Sequence, residues 1–331
     1  MKLQHHPRTP RQYLRLFLTG IAMGTADVIP GVSGGTMAFI LGIYEDLLNA
    51  IKSFDVHLIK LVAKLDVRGA LDHVPWQFLV ALFLGIGSAV LTLAHLVHWM
   101  MSDQYRYILL FAFFFGLILA SILAIGATIP WKSRTVVALV VGTVVAFIIV
   151  NLVPLDMPHD PLTLFLSGMV AIMAMILPGI SGSFILLILG QYEYLLRSVK
   201  QLQVLPLIFA GIGSVVGIIG FSRVLSWLLK RYHQATIAAL VGFMVGSLWK
   251  IWPWKEFLGT RLDRHEDVEL ILGDNILPNV LTAWFWLALL LCLVGFLVVC
   301  FLDHLLSGAN PVFRLVEVGR GKKAETTPEG G

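Results

Sequence analysis

The chain has 331 residues, 58% of them hydrophobic and only 13% charged, with a formal net charge of +4. Soluble domains carry about 25% charged residues, and the mean hydropathy here is +0.86, so a water-soluble globular domain is excluded. Apolar runs long enough for a ~30 Å hydrocarbon core recur along the chain, the strand alternation of a membrane barrel is absent, and the expected class is an all-α polytopic membrane protein.

The basic start (Lys2, Arg8, Arg11, Arg15) runs into an apolar stretch without a cleavage pattern and reads as a cytoplasmic flank, not a signal peptide. Five apolar segments follow in each half. The first half has Leu14–Ile29, Thr36–Ile51, Trp76–Met101, Tyr107–Ala127 and Thr135–Val153. The second has Leu162–Leu177, Ser183–Val199, Val204–Leu229, Ala235–Ile251 and Trp284–His304. Cys292 and Cys300 both fall in the last segment and suggest neither a disulfide nor a metal site. The loop Glu256–Pro278 is compatible with a small hairpin or a surface helix, and the polar tail 311–331 reads as disordered.

The halves resemble each other. Ile29–Glu45 reads IPGVSGGTMAFILGIYE and Leu177–Glu193 reads LPGISGSFILLILGQYE. Gly85-Ile-Gly-Ser88 returns as Gly211-Ile-Gly-Ser214, Gly116 as Gly242, and Pro130-Trp131-Lys132 as Pro253-Trp254-Lys255, in the same order. We read residues 1–155 and 156–310 as two repeats, each a broken pair (14–51 and 162–199) followed by three spans.

Lys and Arg set the topology. With both termini cytoplasmic, sixteen of the 24 cations lie inside and seven outside, with Arg223 left within a span. An odd number of segments per half makes the repeat inverted, as in alternating-access transporters. Leu14–Ile29 has 16 residues, only about 24 Å of helix, so each broken pair is expected to be a re-entrant hairpin. The two tips would meet near the midplane.

At the turns, Pro30 and Pro178 remove a donor and Gly31 and Gly179 permit a tight bend. The helix that follows begins with unsatisfied amides, which attract anions, so Ser33, Gly34, Gly35, Thr36, Ser181, Gly182 and Ser183 are candidate anion ligands. The bland alternative is a packed kink in which each serine caps its own helix. Charged groups inside apolar segments are functional candidates by default. Asp27 would bind a coupling proton or Na⁺, or cap local donors. Arg223 would pair an anionic headgroup or snorkel to the interface. Tyr44, Glu45 and Lys52 recur as Tyr192, Glu193 and Lys200, either as interfacial anchors or as a gate at each hairpin opening.

Gly31-Val-Ser33-Gly34-Gly35 also fits the nucleophile elbow of serine hydrolases. That chemistry needs a nearby histidine, and His95 and His98 are the candidates in the first half. No P-loop, dinucleotide fingerprint or metal cluster appears, nor a basic patch of nucleic-acid character, so no cofactor beyond a coupling ion and no nucleic-acid partner is expected.

With DVIPGVSGGTMAFILGIYE and LPGISGSFILLILGQYE on the page, the chain resembles the PopT-like family of bacterial polyprenyl-phosphate translocases over roughly residues 11 to 310. It is similar in plan, not in sequence, to the DedA family, where paired re-entrant hairpins are likewise proposed. The resemblance implies a bacterial inner-membrane protein that returns undecaprenyl phosphate from the outer to the cytoplasmic leaflet for cell-envelope glycan synthesis. It leaves an ion-coupled small-anion transporter and a serine hydrolase using Ser33 as the alternatives.

Overall fold

The computed structural model describes residues 9–29, 32–155, 157–262 and 268–307. The first broken region holds α1 (Pro10–Val28), α2 (Gly34–Ile40) and α3 (Tyr44–Lys52). Two short helices, α4 (Val56–Ala63) and α5 (Val67–His73), fill the insert before α6 (Trp76–Met101), α7 (Gln104–Gly126) and α8 (Ser133–Val150). The second half repeats the order with α9 (Pro161–Ile176), α10 (Gly182–Ile188), α11 (Tyr192–Lys200), α12 (Val204–Arg231) and α13 (His233–Ser247). A β-hairpin, β1 (Lys255–Leu262) and β2 (Val268–Asn275), precedes α14 (Ala283–Ser307).

Among the described residues, α6, α7, α8, α12 and α14 contain stretches long and apolar enough to cross a membrane, while α9 is apolar but shorter. Their exposed faces carry large apolar side chains such as Val141, Val216 and Leu290, as lipid-facing helices require.

The structure corrects three expectations. First, the chain is not all-α: β1 and β2 pair antiparallel, with Thr260 opposite Leu270, and the register shifts next to Gly259. Second, Thr36–Ile51 and Ser183–Val199 are not continuous segments. Each stops at a Leu-Gly pair and restarts as a second short helix, at Leu41–Gly42 and Leu189–Gly190. Gly42 and Gly190 sit at φ of 73° and 68°, the left-handed conformation that closes a helix end. In each copy the following amide closes the turn, Ile43 N to Ala38 O at 3.0 Å and Gln191 N to Leu186 O at 2.9 Å.

The third correction concerns repeat register in α6 and α12. Gly20 on α1 lies against the carbonyl of Leu82 on α6, and Gly85 on α6 against the carbonyl of Phe17. The same reciprocal contact joins α9 to α12 through Gly168 at Ala210 and Gly213 at Phe165. Gly85 therefore does the work of Gly213, not of Gly211, and both Gly87 and Gly211 face open space. The motif match was a coincidence of spacing two residues away from the contact register.

Two further helix pairs use the same device. Gly142 on α8 meets Ala239 on α13 while Gly242 meets Leu139, and Gly116 on α7 meets Cys292 on α14 while Gly295 meets Phe113. A side chain at any of these eight positions would collide with backbone, so helix axes approach through small residues, the usual means of packing helices in lipid.

Two compact units result. One comprises residues 1–99 and 131–250, and the other residues 100–130 and 251–331. The second unit is built on the α7–α14 pair. Its hairpin end carries an aromatic group in which Trp252, Trp254, Phe285 and Trp286 follow one another at ring distances of 5.2–5.8 Å, suited to a membrane interface.

Candidate functional site

The two duplicated motifs come together within the first unit, bonded across the gap between them. Ser33 is fully buried, and its Oγ donates to the carbonyl of Met175 at 3.1 Å. Thr36 Oγ1 accepts from the amide of Gly179 at 2.8 Å. Tyr44, buried at the start of α3, donates its hydroxyl to the carbonyl of Ile176 at 2.9 Å. The sequence explains why these groups are available: proline and glycine at the second break end α9 and leave the carbonyls of its last turn without intrahelical partners, and Met175 and Ile176 are in that turn.

The start of α2 is satisfied from within the chain. Asp27 Oδ1 accepts from Gly34 N at 2.7 Å, Ser33 Oγ accepts from Gly35 N at 3.1 Å, and Ser33 O accepts from Thr36 N at 2.9 Å. A carboxylate at a helix N-terminus is favoured by its dipole, so Asp27 takes the place an external anion would occupy at that end. At α10 no described side chain caps the first turn. Ser181 and Ser183 share a hydrogen bond of 2.7 Å between their hydroxyls, and Gly182 packs with its Cα toward the Ala171 carbonyl.

Of the other positions singled out by sequence, Pro30 and Gly31 lie outside the described residues. Pro178 is buried, and Gly179 adopts φ 91° with Ser247 Oγ directly against it. Glu45 is exposed, its Oε1 3.7 Å from Nδ1 of His233. Glu193, Tyr192 and Lys200 lie on the exposed side of α11, where Glu193 offers its backbone carbonyl to Arg197. Arg223 is exposed on α12, its Nη1 3.5 Å from Ile219 O. Lys52 instead crosses to α12 and donates to Ser226 Oγ at 2.9 Å.

Beside the joined motifs lies a cavity of about 450 Å³, walled by α1, the start of α2, α3, α6, α9 and α12. Its lining is almost wholly apolar, with Met23, Leu48, Ile51, Ile86, Ile172 and Ile219 typical, and Asp27 and Tyr44 bring its polar groups. Spacing could have identified Ile51 and Ile219 as apolar, but not that they would share a cavity. Such a chamber accepts hydrocarbon and rejects a bare anion. Ser33 Oγ meanwhile has main-chain partners on both its donor and acceptor sides, a structural arrangement rather than that of a nucleophile awaiting a base.

The chain is 43% identical over 267 residues to a protein of Vibrio cholerae serotype O1 named polyprenyl-phosphate transporter, covering 80% of this chain and 86% of that one. It is 29% identical over 258 residues to a Staphylococcus aureus protein of the same name, covering 71% and 85%. No solved structure matches it. The profile of the undecaprenyl phosphate translocase-like (VCA0040-like) family matches residues 23–268, and the chain belongs to that family.

Proposed function

We propose that this protein moves a polyprenyl phosphate, undecaprenyl phosphate in particular, across the bacterial cytoplasmic membrane, returning the carrier to the cytoplasmic leaflet. The observation that carries the reading is the apolar cavity adjoining two joined helix breaks. A prenyl phosphate needs two unlike environments, hydrocarbon for the chain and hydrogen-bond donors for the head. The cavity supplies the first for the part of the chain nearest the phosphate, while the rest stays in lipid.

In this reading the broken pairs are re-entrant hairpins of an inverted repeat, entering from opposite faces, with both termini cytoplasmic. The bonds between the tips close the path. When the tips part, the hydroxyls of Ser33 and Thr36 and the Gly179 amide lose their protein partners and become phosphate donors, together with Ser181, Ser183 and the glycines Gly34, Gly35 and Gly182. Arg223 pairs the head on its way. Asp27 is the group through which a proton or Na⁺ couples, since removing its negative charge weakens its hold on the start of α2, and Glu45 and Glu193 stand at the two openings.

The test is the surface-exposed pool of undecaprenyl phosphate in cells depleted of the protein. Re-expression should lower that pool, and Ser33→Ala combined with Thr36→Val should not. A pool indifferent to the wild-type protein would refute the transport reading. Fluorophosphonate labelling of Ser33 would instead revive the hydrolase.

A further inference from the structure

At one end of the cavity the apolar lining gives way to cations. Ile51 and Phe54 line it and Lys52 lies between them on the chain. Ile219 lines it from α12, and Arg223 follows one turn later. The hydrogen bond from Lys52 Nζ to Ser226 Oγ fixes the ammonium against α12. Arg223, Ser226 and Lys230 are spaced i, i+3 and i+7 on that helix, which puts them on one face.

Partial burial holds the Lys52 pKa below the usual lysine range, and the charged groups that act on it, Lys230 and Arg223, are both of its own sign and push it the same way. Among the described residues no carboxylate forms an ion pair with Lys52, Arg223 or Lys230. Like charges gathered without a counter-charge repel, and a multivalent anion relieves that repulsion. Arg adds a fork of donors matched to phosphate oxygens, Lys a mobile point charge. A positive-inside bias alone would scatter cations along loops. It does not require that one be tethered to a neighbouring helix at a cavity's edge.

We propose that Lys52, Arg223 and Lys230, with Ser226, form a binding station for a phosphate monoester whose hydrocarbon chain enters the adjoining cavity. The identity of the chain rests on the polyprenyl-phosphate reading, whereas the anion site stands on the cations. The station holds the head at the Lys52 end of the cavity, apart from the joined tips, so the head has a second resting place along its path.

Radiolabelled farnesyl phosphate, farnesol and inorganic phosphate, each offered to the full-length protein in detergent micelles, test this. The wild type should bind farnesyl phosphate at least about tenfold more tightly than either of the others. Lys52→Ala, Arg223→Ala and Lys230→Ala should each weaken farnesyl phosphate about tenfold, leave farnesol within about twofold, and so report an intact cavity. Lys52→Arg should restore most of the affinity. Farnesyl phosphate binding unchanged in both Lys52→Ala and Lys230→Ala overturns the station, and leaves the transport reading standing if the wild type still lowers the surface pool. Inorganic phosphate bound as tightly as farnesyl phosphate overturns the lipid assignment while keeping the anion site, provided that Lys52→Ala abolishes it.

Discussion

The two copies of the Pro-Gly-x-Ser-Gly motif have nearly the same sequence and opposite roles. The first copy contributes side chains: Ser33, Thr36 and Tyr44 all reach across. The second contributes backbone: the carbonyls of Met175 and Ile176 and the amide of Gly179 receive them. Two substitutions and one difference in burial between the copies account for this. Asp27 corresponds to Met175, so only the first copy carries its own carboxylate cap; Thr36 corresponds to Phe184, so only the first has a hydroxyl at that position. Tyr44 is 3% exposed whereas its counterpart Tyr192 is 40% exposed. The two motifs are thus joined by side chains from the first copy and backbone groups from the second.

That inequality can be broken by substitution, most severely at the point of closest approach. A Cβ at Gly35 would stand 2.6 Å from Met175 O and 2.9 Å from Ile176 O, both backbone atoms. Gly35→Ala should therefore force the tips apart and cost about 1–3 kcal/mol, the usual range for overpacking, seen as a lower unfolding temperature in detergent and loss of transport. Next comes Asp27→Ala, which leaves the Gly34 amide without its acceptor and should cost about 1–3 kcal/mol. Met175→Leu, at its counterpart in the second copy, removes no side-chain hydrogen bond, nearly conserves volume and keeps the carbonyl that Ser33 uses, so it should cost less and spare transport. Equal losses at Asp27 and Met175 would erase the distinction between the copies. Thr36→Val strips the Gly179 amide of its acceptor. It should cost about 1–3 kcal/mol, again measured by thermal unfolding, with Ser183→Ala below it because the Ser181 hydroxyl it pairs with can turn to water or backbone instead.

Sequence pattern made some of this legible and hid the rest for identifiable reasons. Composition and run length sufficed for α6, α7, α8, α12 and α14, because lipid imposes one requirement on every exposed residue. The breaks before Ser33 and Ser181 were legible because proline and glycine act locally. The second breaks at Gly42 and Gly190 were visible as matched Leu-Gly pairs yet sit inside apolar runs, where a left-handed glycine carries no polar signature. The Gly85–Gly213 equivalence was obscured because a G-x-G run offers two registers, and only the Phe17 and Phe165 carbonyls choose between them. Cross-tip bonds were out of reach, since their partners in the second copy are backbone atoms that almost any residue type would provide. The pairing of Lys52 with Ser226 spans 174 positions, a distance over which a single sequence holds no register.

The mildest change isolates the comparison most cleanly. Tyr44→Phe keeps the ring and its edge-on contact with Phe39 at 5.2 Å and removes only the hydroxyl that reaches Ile176 O. The acceptor is a buried carbonyl that loses one partner, so a cost of about 0.5–1.5 kcal/mol is expected. Tyr192→Phe makes the same chemical change at the matching position of the second copy, where the side chain is exposed and water replaces whatever the hydroxyl gives up; its cost should fall within about 0.5 kcal/mol of zero. Thermal unfolding of the two variants side by side reads the difference directly. If Tyr192→Phe were the more destabilising, the side-chain role would belong to the second copy and the assignment of the two motifs would have to be reversed.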